Sequence, residues 1–237
     1  MQGPRVAAPA AALLCCLLAA AAPGRCDALE ISPVRLDIAT RGTAIVTLRN
    51  NGAAPVSIQA EAFDWRQDAG GADRLEPTRD LLIVPPLFTL APGEDQLVRV
   101  AFVGQAAATE RPFRLVFAEL PPPQPVALPR GLAVRLRLSI PAFIAATGPA
   151  DPALRVADFR QDGSATQLLL VNEGARHVRV HRVDYEQDGG PGKALDVAHY
   201  LLPGSRWEVE QTLADAAPVR QVRVVADGGA ALEHGVP

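Results

Sequence analysis

The sequence predicts an all-β protein made of two β-sandwich domains in tandem, and three observations lead to this fold class. Short runs of alternating apolar and polar residues recur, as at 43–50, 56–65, 96–103 and 111–120, and Gly, Pro, Asn and Asp separate them. Helical periodicity is nearly absent. Two turn-forming segments occur twice in the same order, which indicates two copies of one sandwich type.

The repeated segments lie about 110 to 120 residues apart in the chain. Asn50-Asn51-Gly52 resembles Asn172-Glu173-Gly174, and each triplet stands between two strand-like runs. Further on, the Pro92-Gly93 turn and the Pro203-Gly204 turn each follow a leucine-containing stretch and precede an alternating strand. Chance similarity between β-rich segments is the alternative explanation.

The first 28 residues read as a secretory signal peptide. One arginine, Arg5, precedes an Ala- and Leu-rich run that is too short to favour a stable membrane span. We place cleavage after Ala28, with cleavage after Ala22 as the alternative. All three cysteines (Cys15, Cys16 and Cys26) leave with this segment, so the mature chain is held by its cores rather than by disulfides.

The mature chain has about 209 residues, enough for two ordinary domains. Residues 146–152 are small, contain Pro and Gly, and show no periodicity. We therefore predict an N-terminal domain at 29–147, a linker at 148–152 and a C-terminal domain at 153–237.

Charge and side-chain inventory exclude several function classes. The mature chain carries 21 basic and 25 acidic residues, a net charge of about −4, which does not favour nucleic acid or an anionic membrane as partner. Four histidines without cysteine or a nearby carboxylate cluster do not make a metal site. No nucleophile, base and oxyanion set can be assembled, and no phosphate loop is present. We expect no enzyme activity, no metal and no cofactor.

The segment GLAVRLRLSIPAFI, residues 131–144, is the most informative strand. Leu132, Val134 and Leu136 begin a long apolar face, and Arg135 and Arg137 stand on the opposite face. An ordinary sandwich strand with a solvated outer face would give this pattern. The alternative is a strand whose two faces hold another polypeptide.

A second basic position lies within the first predicted strand. In SPVRLDI, residues 32–38, Val34, Leu36 and Ile38 form the expected core face, so Arg35 points away from the core. The first and last strands of a sandwich domain often lie side by side, which would bring Arg35 close to Arg137. Two guanidiniums make a site for an anion such as the terminal carboxylate of a peptide. Two unrelated surface arginines are the simpler explanation.

Five segments in order resemble the periplasmic chaperones of chaperone–usher pili. They are SPVRLDI, LRNNGAAPVSIQAEAFDW, LLIVPPLFTLAPGEDQLVRV, RPFRLVFAELPPP and GLAVRLRLSIPAFI, and together they cover most of the N-terminal domain. The resemblance spans nearly all of the mature chain. The short, Pro-rich stretch at 121–130 is similar to the short-loop or archaic, spore-coat-type branch of the family.

The resemblance implies two immunoglobulin-like domains in an L-shaped arrangement, located in the periplasm. It implies that the chaperone lends its seventh strand to pilin or fimbrial subunits by donor-strand complementation and delivers them to an outer-membrane usher. The carboxylate-binding positions carry over to Arg35 and Arg137, with Arg135 as a rival to Arg137. The donor positions carry over to Leu132, Val134 and Leu136, with Val126 and Leu128 as extensions. A self-dimer through the donor strand is a further expectation.

An exported β-sandwich that binds a carbohydrate or another surface ligand is the alternative function. Such a module would need exposed aromatic side chains as a stacking platform. The chain has only eleven aromatic residues, and Trp65 and Trp207 are the two whose exposure would decide between the alternatives.

Overall fold

A computed structural model describes residues 29–121, 134–188, 190–229 and 231–236. The predicted signal peptide, residues 1–28, and the predicted donor residues Val126, Leu128 and Leu132 lie outside these ranges. The described part of the chain is almost entirely β-strand, with one short 3-10 turn at Asp227–Gly229 and no α-helix. This confirms the predicted all-β class.

The described residues form ten strands in the first domain and seven in the second. In the first domain they are β1 (Leu29–Ser32), β2 (Leu36–Ile38), β3 (Thr43–Asn50), β4 (Val56–Gln67), β5 (Asp73–Pro77), β6 (Leu81–Val84), β7 (Leu87–Leu90), β8 (Asp95–Phe102), β9 (Arg111–Glu119) and β10 (Arg137–Ile144). In the second they are β11 (Leu154–Asp162), β12 (Ala165–Asn172), β13 (Val178–Gln187), β14 (Gly190–Leu201), β15 (Arg206–Thr212), β16 (Val219–Ala226) and β17 (Ala231–Gly235).

The first domain is a sandwich of two sheets. One has the strand order β1-β3-β8-β6, and the other has the order β2-β10-β9-β4-β5 with β7 also paired to β4. Alternate residues of both sheets face inward, and Val46, Val98, Leu115 and Ile140 are among the buried side chains between them. β2 and β10 lie side by side in parallel, as predicted for the first and last strands of the domain.

The first predicted strand is broken in two, and one of its expected core residues is exposed. β1 pairs with β3 in one sheet, whereas β2 pairs with β10 in the other. The chain crosses between the sheets at Pro33–Arg35, where Pro33 has no amide hydrogen to continue a ladder. Val34 lies in this crossing and is 67% exposed, so its prediction as a core residue was wrong. Leu36 and Ile38 are buried as predicted.

The second domain is also a sandwich, with sheets β11-β12-β15 and β14-β13-β16-β17. Its separate core contains Leu168, Val180, Tyr185, Val209 and Val224. Within the ranges given above, no helix has the length and apolar character needed to cross a membrane.

The repeated Asn-x-Gly segments have equivalent structural roles in the two domains. Asn50 Nδ2 donates to the carbonyls of Ala54 and Leu90, and its Oδ1 accepts from the Gly52 amide. Asn172 makes the corresponding bonds to Arg176, Leu201 and Gly174. The Gly93 and Gly204 amides of the repeated Pro-Gly turns donate to the carbonyls of Asn50 and Asn172. The matching contacts support a duplicated sandwich rather than chance similarity.

An aromatic cluster joins the two domains. Trp65 and Phe143 of the first domain pack with Leu202 and Tyr200 of the second. Beside the cluster, the Gln67 amide donates to the Tyr200 carbonyl at 2.7 Å and accepts from the Leu202 amide at 3.0 Å. The second domain is therefore held against the end of β4 by both apolar packing and directional hydrogen bonds.

A buried acid–histidine pair forms a second link between the domains. Glu110 Oε1 accepts from the backbone amide of His177 at 3.0 Å and lies 2.6 Å from its Nδ1. The imidazole also stacks on Phe143, with ring centroids 3.6 Å apart and an interplanar angle of 10°. Both side chains of the pair are almost fully buried. The contact satisfies a carboxylate that would be costly to bury alone.

Candidate functional site

β10 has a free edge next to Arg35. β2 covers only residues 142–144 of β10, and β1 belongs to the opposite sheet, so no described strand pairs with this edge over residues 134–141. The Glu119 amide donates to the Leu136 carbonyl, which directs the backbone groups of the even-numbered residues to β9. The amides of Arg137 and Ser139 consequently point toward the free edge, which is able to accept a further strand.

The apolar face of β10 extends past the core of the domain. Ile140 is buried, Leu138 packs partly buried against the core, and Leu136 is half-buried. Val134, next in the row, is 67% exposed. The predicted donor residues Val134 and Leu136 thus form the solvent-facing end of a row whose other end lies in the core, while Leu132 is outside the described residues.

Arg35 lies where the free edge ends. Leu36 is opposite Ala142, so Arg35 is beside Pro141 on the outer face of the sheet. Its Nε donates to Asp37 at 2.9 Å, and its Nη1 lies 3.8 Å from Asp227 of the second domain. Burial alone would lower the pKa of Arg35, but the Asp37 carboxylate and the neighbouring Tyr200 hydroxyl outweigh burial and raise it. The guanidinium is therefore a permanent cation at the domain boundary.

Arg114 is a second cation of this site that sequence reasoning did not single out. It is opposite Pro141 on the other side of β10, two strands from Arg35, or about 10 Å in the sheet. Its guanidinium lies 3.7 Å above the Trp65 ring and 3.6 Å from Asp73. Burial lowers the pKa of Arg114, with Asp73 and Tyr200 opposing the shift, but a guanidinium stays protonated.

Tyr200 of the second domain lies near both arginines of the first domain, Arg35 and Arg114. Its ring contacts Trp65 and Phe143 at centroid distances of 5.6 Å each. The alternation of Phe113, Leu115 and Phe117 in β9 could have indicated that Arg114 faces outward. Nothing in the sequence could have paired it with a tyrosine almost ninety residues later.

Arg137 and Arg135 lie further along the same strand. Arg137 is on the outer face with Arg35, but it precedes Pro141 by four residues, a separation of about 13 Å along the strand. Both residues are exposed, and neither guanidinium forms an ion pair with any residue in the described ranges. The prediction that one of them supplies the second carboxylate contact stays a prediction.

The two tryptophans do not form an exposed platform. Trp65 is 2% exposed within the interdomain cluster. Trp207 is partly buried against the second core, and its ring stacks on His199 at 4.0 Å. Neither ring offers the open face that the alternative carbohydrate-binding function requires. Over the ranges given above, no group of three or more His, Cys, Asp or Glu side chains is arranged to hold a metal ion.

The described residues thus form two β-sandwiches, with a free strand edge and a basic residue at the boundary between them. Residues 28–149 match the family model described as pili and flagellar-assembly chaperone, PapD N-terminal domain. The match covers just over half of the chain, and the chain belongs to this family of assembly chaperones. No curated protein matches the sequence significantly.

Solved chaperone structures share the complete two-domain fold. The CsuC–CsuE chaperone–tip adhesion subunit complex from archaic Csu pili of Acinetobacter baumannii matches with a TM-score of 0.66 and 22% identity, over 87% of this chain and 97% of that chain. The SafB chaperone complex with the SafA pilin of Salmonella enterica gives 0.59 and 16%, over 88% and 96%. The E. coli chaperone DraB gives 0.57 and 16%, over 88% and 98%. These matches confirm the tandem-sandwich fold.

Proposed function

We propose that this protein is a periplasmic chaperone that binds pilin subunits by donor-strand complementation and passes them to an outer-membrane usher. The observation that carries the proposal is the free edge of β10, which has the apolar residues Val134 and Leu136 at its solvent-facing end and reaches Arg35 at its other end. The family supports the chaperone role and the periplasmic location. The related complexes with a pilin and a tip subunit support the class of partner.

The strand edge supplies the affinity of the proposed complex. A pilin chain added to β10 would bond to the outward-facing backbone groups of Arg137 and Ser139. Val134 and Leu136 would fill the open groove of the pilin, removing apolar surface from water at about 25 cal/mol per Å². A pilin that exposes such a groove and an unpaired edge would otherwise aggregate.

Arg35 fixes the direction and the end point of the added strand. A strand on the free edge would be stopped by β2, which occupies the edge from Ala142 onward. Its last residue would then meet Arg35, and a C-terminal carboxylate is the chain end that a guanidinium binds. The pilin strand would therefore run parallel to β10, in line with β2.

Arg114, which lies across β10 from Arg35 and near Tyr200, is our structural choice for the second cation at the carboxylate. Arg137 remains the choice from the sequence, with Arg135 as its rival. Comparing Arg114→Gln with Arg137→Gln in a pilin-binding assay separates the two. We expect the larger loss for Arg114→Gln, about tenfold in affinity, because a charge-assisted hydrogen bond contributes about 1.5 kcal/mol or more.

Co-expression with a candidate pilin subunit tests the function. We expect Val134→Asp and Leu136→Asp to abolish co-purification of pilin, since each would bury a carboxylate in an apolar groove. Leu97→Asp is the matched control, because Leu97 is an exposed apolar residue of similar exposure, at 59%, on the opposite sheet. Donor variants that retain pilin at the control level would refute strand donation.

The same edge would also pair with a second copy of the chain when no pilin is bound. This proposed self-dimer buries Val134 and Leu136 in the free chaperone and keeps the edge from open-ended association. Sedimentation of the free chaperone measures it directly. Addition of pilin should dissociate the dimer, and a dimer that persists in the pilin complex would place its interface elsewhere.

A further inference from the structure

Arg179 brings a cation from the second domain to the same boundary. It lies in β13 directly opposite Tyr200 in β14, and its guanidinium carbon is 5.3 Å from the centre of the Tyr200 ring. Paired residues of neighbouring strands share a face of the sheet. The Tyr200 ring in turn contacts Trp65 and Phe143 of the first domain. Arg179 therefore lies across Tyr200 from the arginines of the first domain.

Arg179 differs from Arg35 and Arg114 in lacking an acidic partner. Arg35 has Asp37 and Asp227 nearby, and Arg114 has Asp73. Arg179 forms no ion pair within the described ranges, and its Nε is buried without a hydrogen-bond acceptor there. A guanidinium donor buried in this way is destabilising until an acceptor arrives.

The acidic residue that the strand register places across from Arg179 already contacts other basic side chains. Val180 pairs with Ala226, so the residue after Ala226, Asp227, is the natural cross-strand neighbour of Arg179. The Asp227 carboxylate instead lies 2.7 Å from His181 Nε2 and 3.8 Å from Arg35. Arg179 is therefore an arginine at the domain boundary that has no acidic partner among the described residues and is able to bind an external anion.

We propose that Arg179 binds a carboxylate of the bound pilin chain, so that the second domain takes part directly in anchoring the partner. This inference rests on the proposed function, which puts the end of the pilin strand at Arg35. The carboxylate is either the chain terminus, shared with the first domain, or an acidic side chain close to it. Binding to both domains at once would couple pilin capture to the angle between them.

Labelled peptides of alternating valine and serine provide the probe, measured by fluorescence anisotropy with the full mature chain. One peptide has a free C-terminal carboxylate, the second has a C-terminal amide, and the third has the amide and a glutamate next to the end. The proteins are wild type, Arg179→Gln, Arg179→Lys and Arg35→Gln. Thermal unfolding of each variant shows that it is folded.

We expect Arg179→Gln to weaken binding of a carboxylate-bearing peptide about tenfold while leaving the fully amidated peptide unchanged. Loss on the free-acid peptide identifies the chain terminus as the ligand, and loss on the glutamate peptide identifies the side chain. Arg179→Lys should recover part of the loss because it keeps the charge.

The proposal is overturned if Arg179→Gln binds all three peptides with wild-type affinity. It is also overturned if Arg179→Gln loses the same affinity for all three peptides, because Arg179 would then only hold Tyr200 in position. The Arg35 anchor fails separately, if Arg35→Gln does not reduce the preference for the free acid over the amide. A wild-type chain that binds none of the peptides would contradict both.

Discussion

The link between Glu110 and His177 makes a quantitative prediction about how the domains are held together. His177→Phe keeps an aromatic ring against Phe143 but removes the Nδ1 contact of 2.6 Å with the buried Glu110 carboxylate. Hydrogen bonds to charged groups contribute about 1.5–3 kcal/mol, and we expect a loss of this size in the free energy of unfolding. His177→Ala also removes the stacking, worth about 0.5–1.5 kcal/mol more, and leaves a cavity.

Urea unfolding followed by circular dichroism and by tryptophan fluorescence measures these losses, since Trp65 lies in the interdomain cluster. His181→Phe is the matched control: His181 is on the same strand, but its contact with Asp227 is exposed, so we expect a change below about 1 kcal/mol. The reasoning is refuted if His177→Phe is as stable as wild type. It is also refuted if His177→Ala is no less stable than His177→Phe.

Three further predictions concern the interface, the repeat and the linker. Gly71→Val should destabilise the interface between the domains by about 1–3 kcal/mol and increase the radius of gyration measured by small-angle scattering. Gly71 has a φ of 84°, and an added Cβ would lie 2.6 Å from the Arg206 carbonyl oxygen. An unchanged scattering profile and an unchanged free energy of unfolding would contradict this prediction. Asn172→Ala and Asn50→Ala should each cost about 2–4 kcal/mol, since each side chain makes at least three hydrogen bonds; a loss in only one would contradict equivalent roles. Limited proteolysis should cut first at 148–151, which is mostly exposed, and early cutting inside either sandwich would contradict the domain boundary.

Local patterns in the sequence predicted the strands well. The alternating run at 43–50 is β3 to the residue, and the run at 111–120 is β9 with one residue more. The repeated Asn-x-Gly segments also carried over, because their hydrogen bonds lie within one turn and its neighbouring strand. The prediction that Val34 is a core residue was wrong because the alternating pattern assumes one continuous strand, whereas the chain passes from one sheet to the other at this point.

Only some residues of the candidate site could be predicted from the sequence. Arg35 lies beside the buried, alternating residues Leu36 and Ile38, and the apolar residues of β10 also alternate with a period of two. Tyr200 and Arg179 lie on neighbouring strands of the second domain, and Arg114 of the first domain comes close to them only when the two domains pack. Each looks like an ordinary strand residue in its local segment, so their convergence depends on tertiary contacts.

The most direct test of the account is amide hydrogen exchange in β10, measured on the free chaperone and on its pilin complex. The amides of Leu138 and Ile140 bond to β9 in both states and should be protected in both. The amides of Arg137 and Ser139 face the free edge, and we predict that they exchange rapidly in the free monomer and become protected when pilin binds. Pilin that binds while Arg137 and Ser139 continue to exchange as rapidly as in the free monomer would contradict strand addition at this edge.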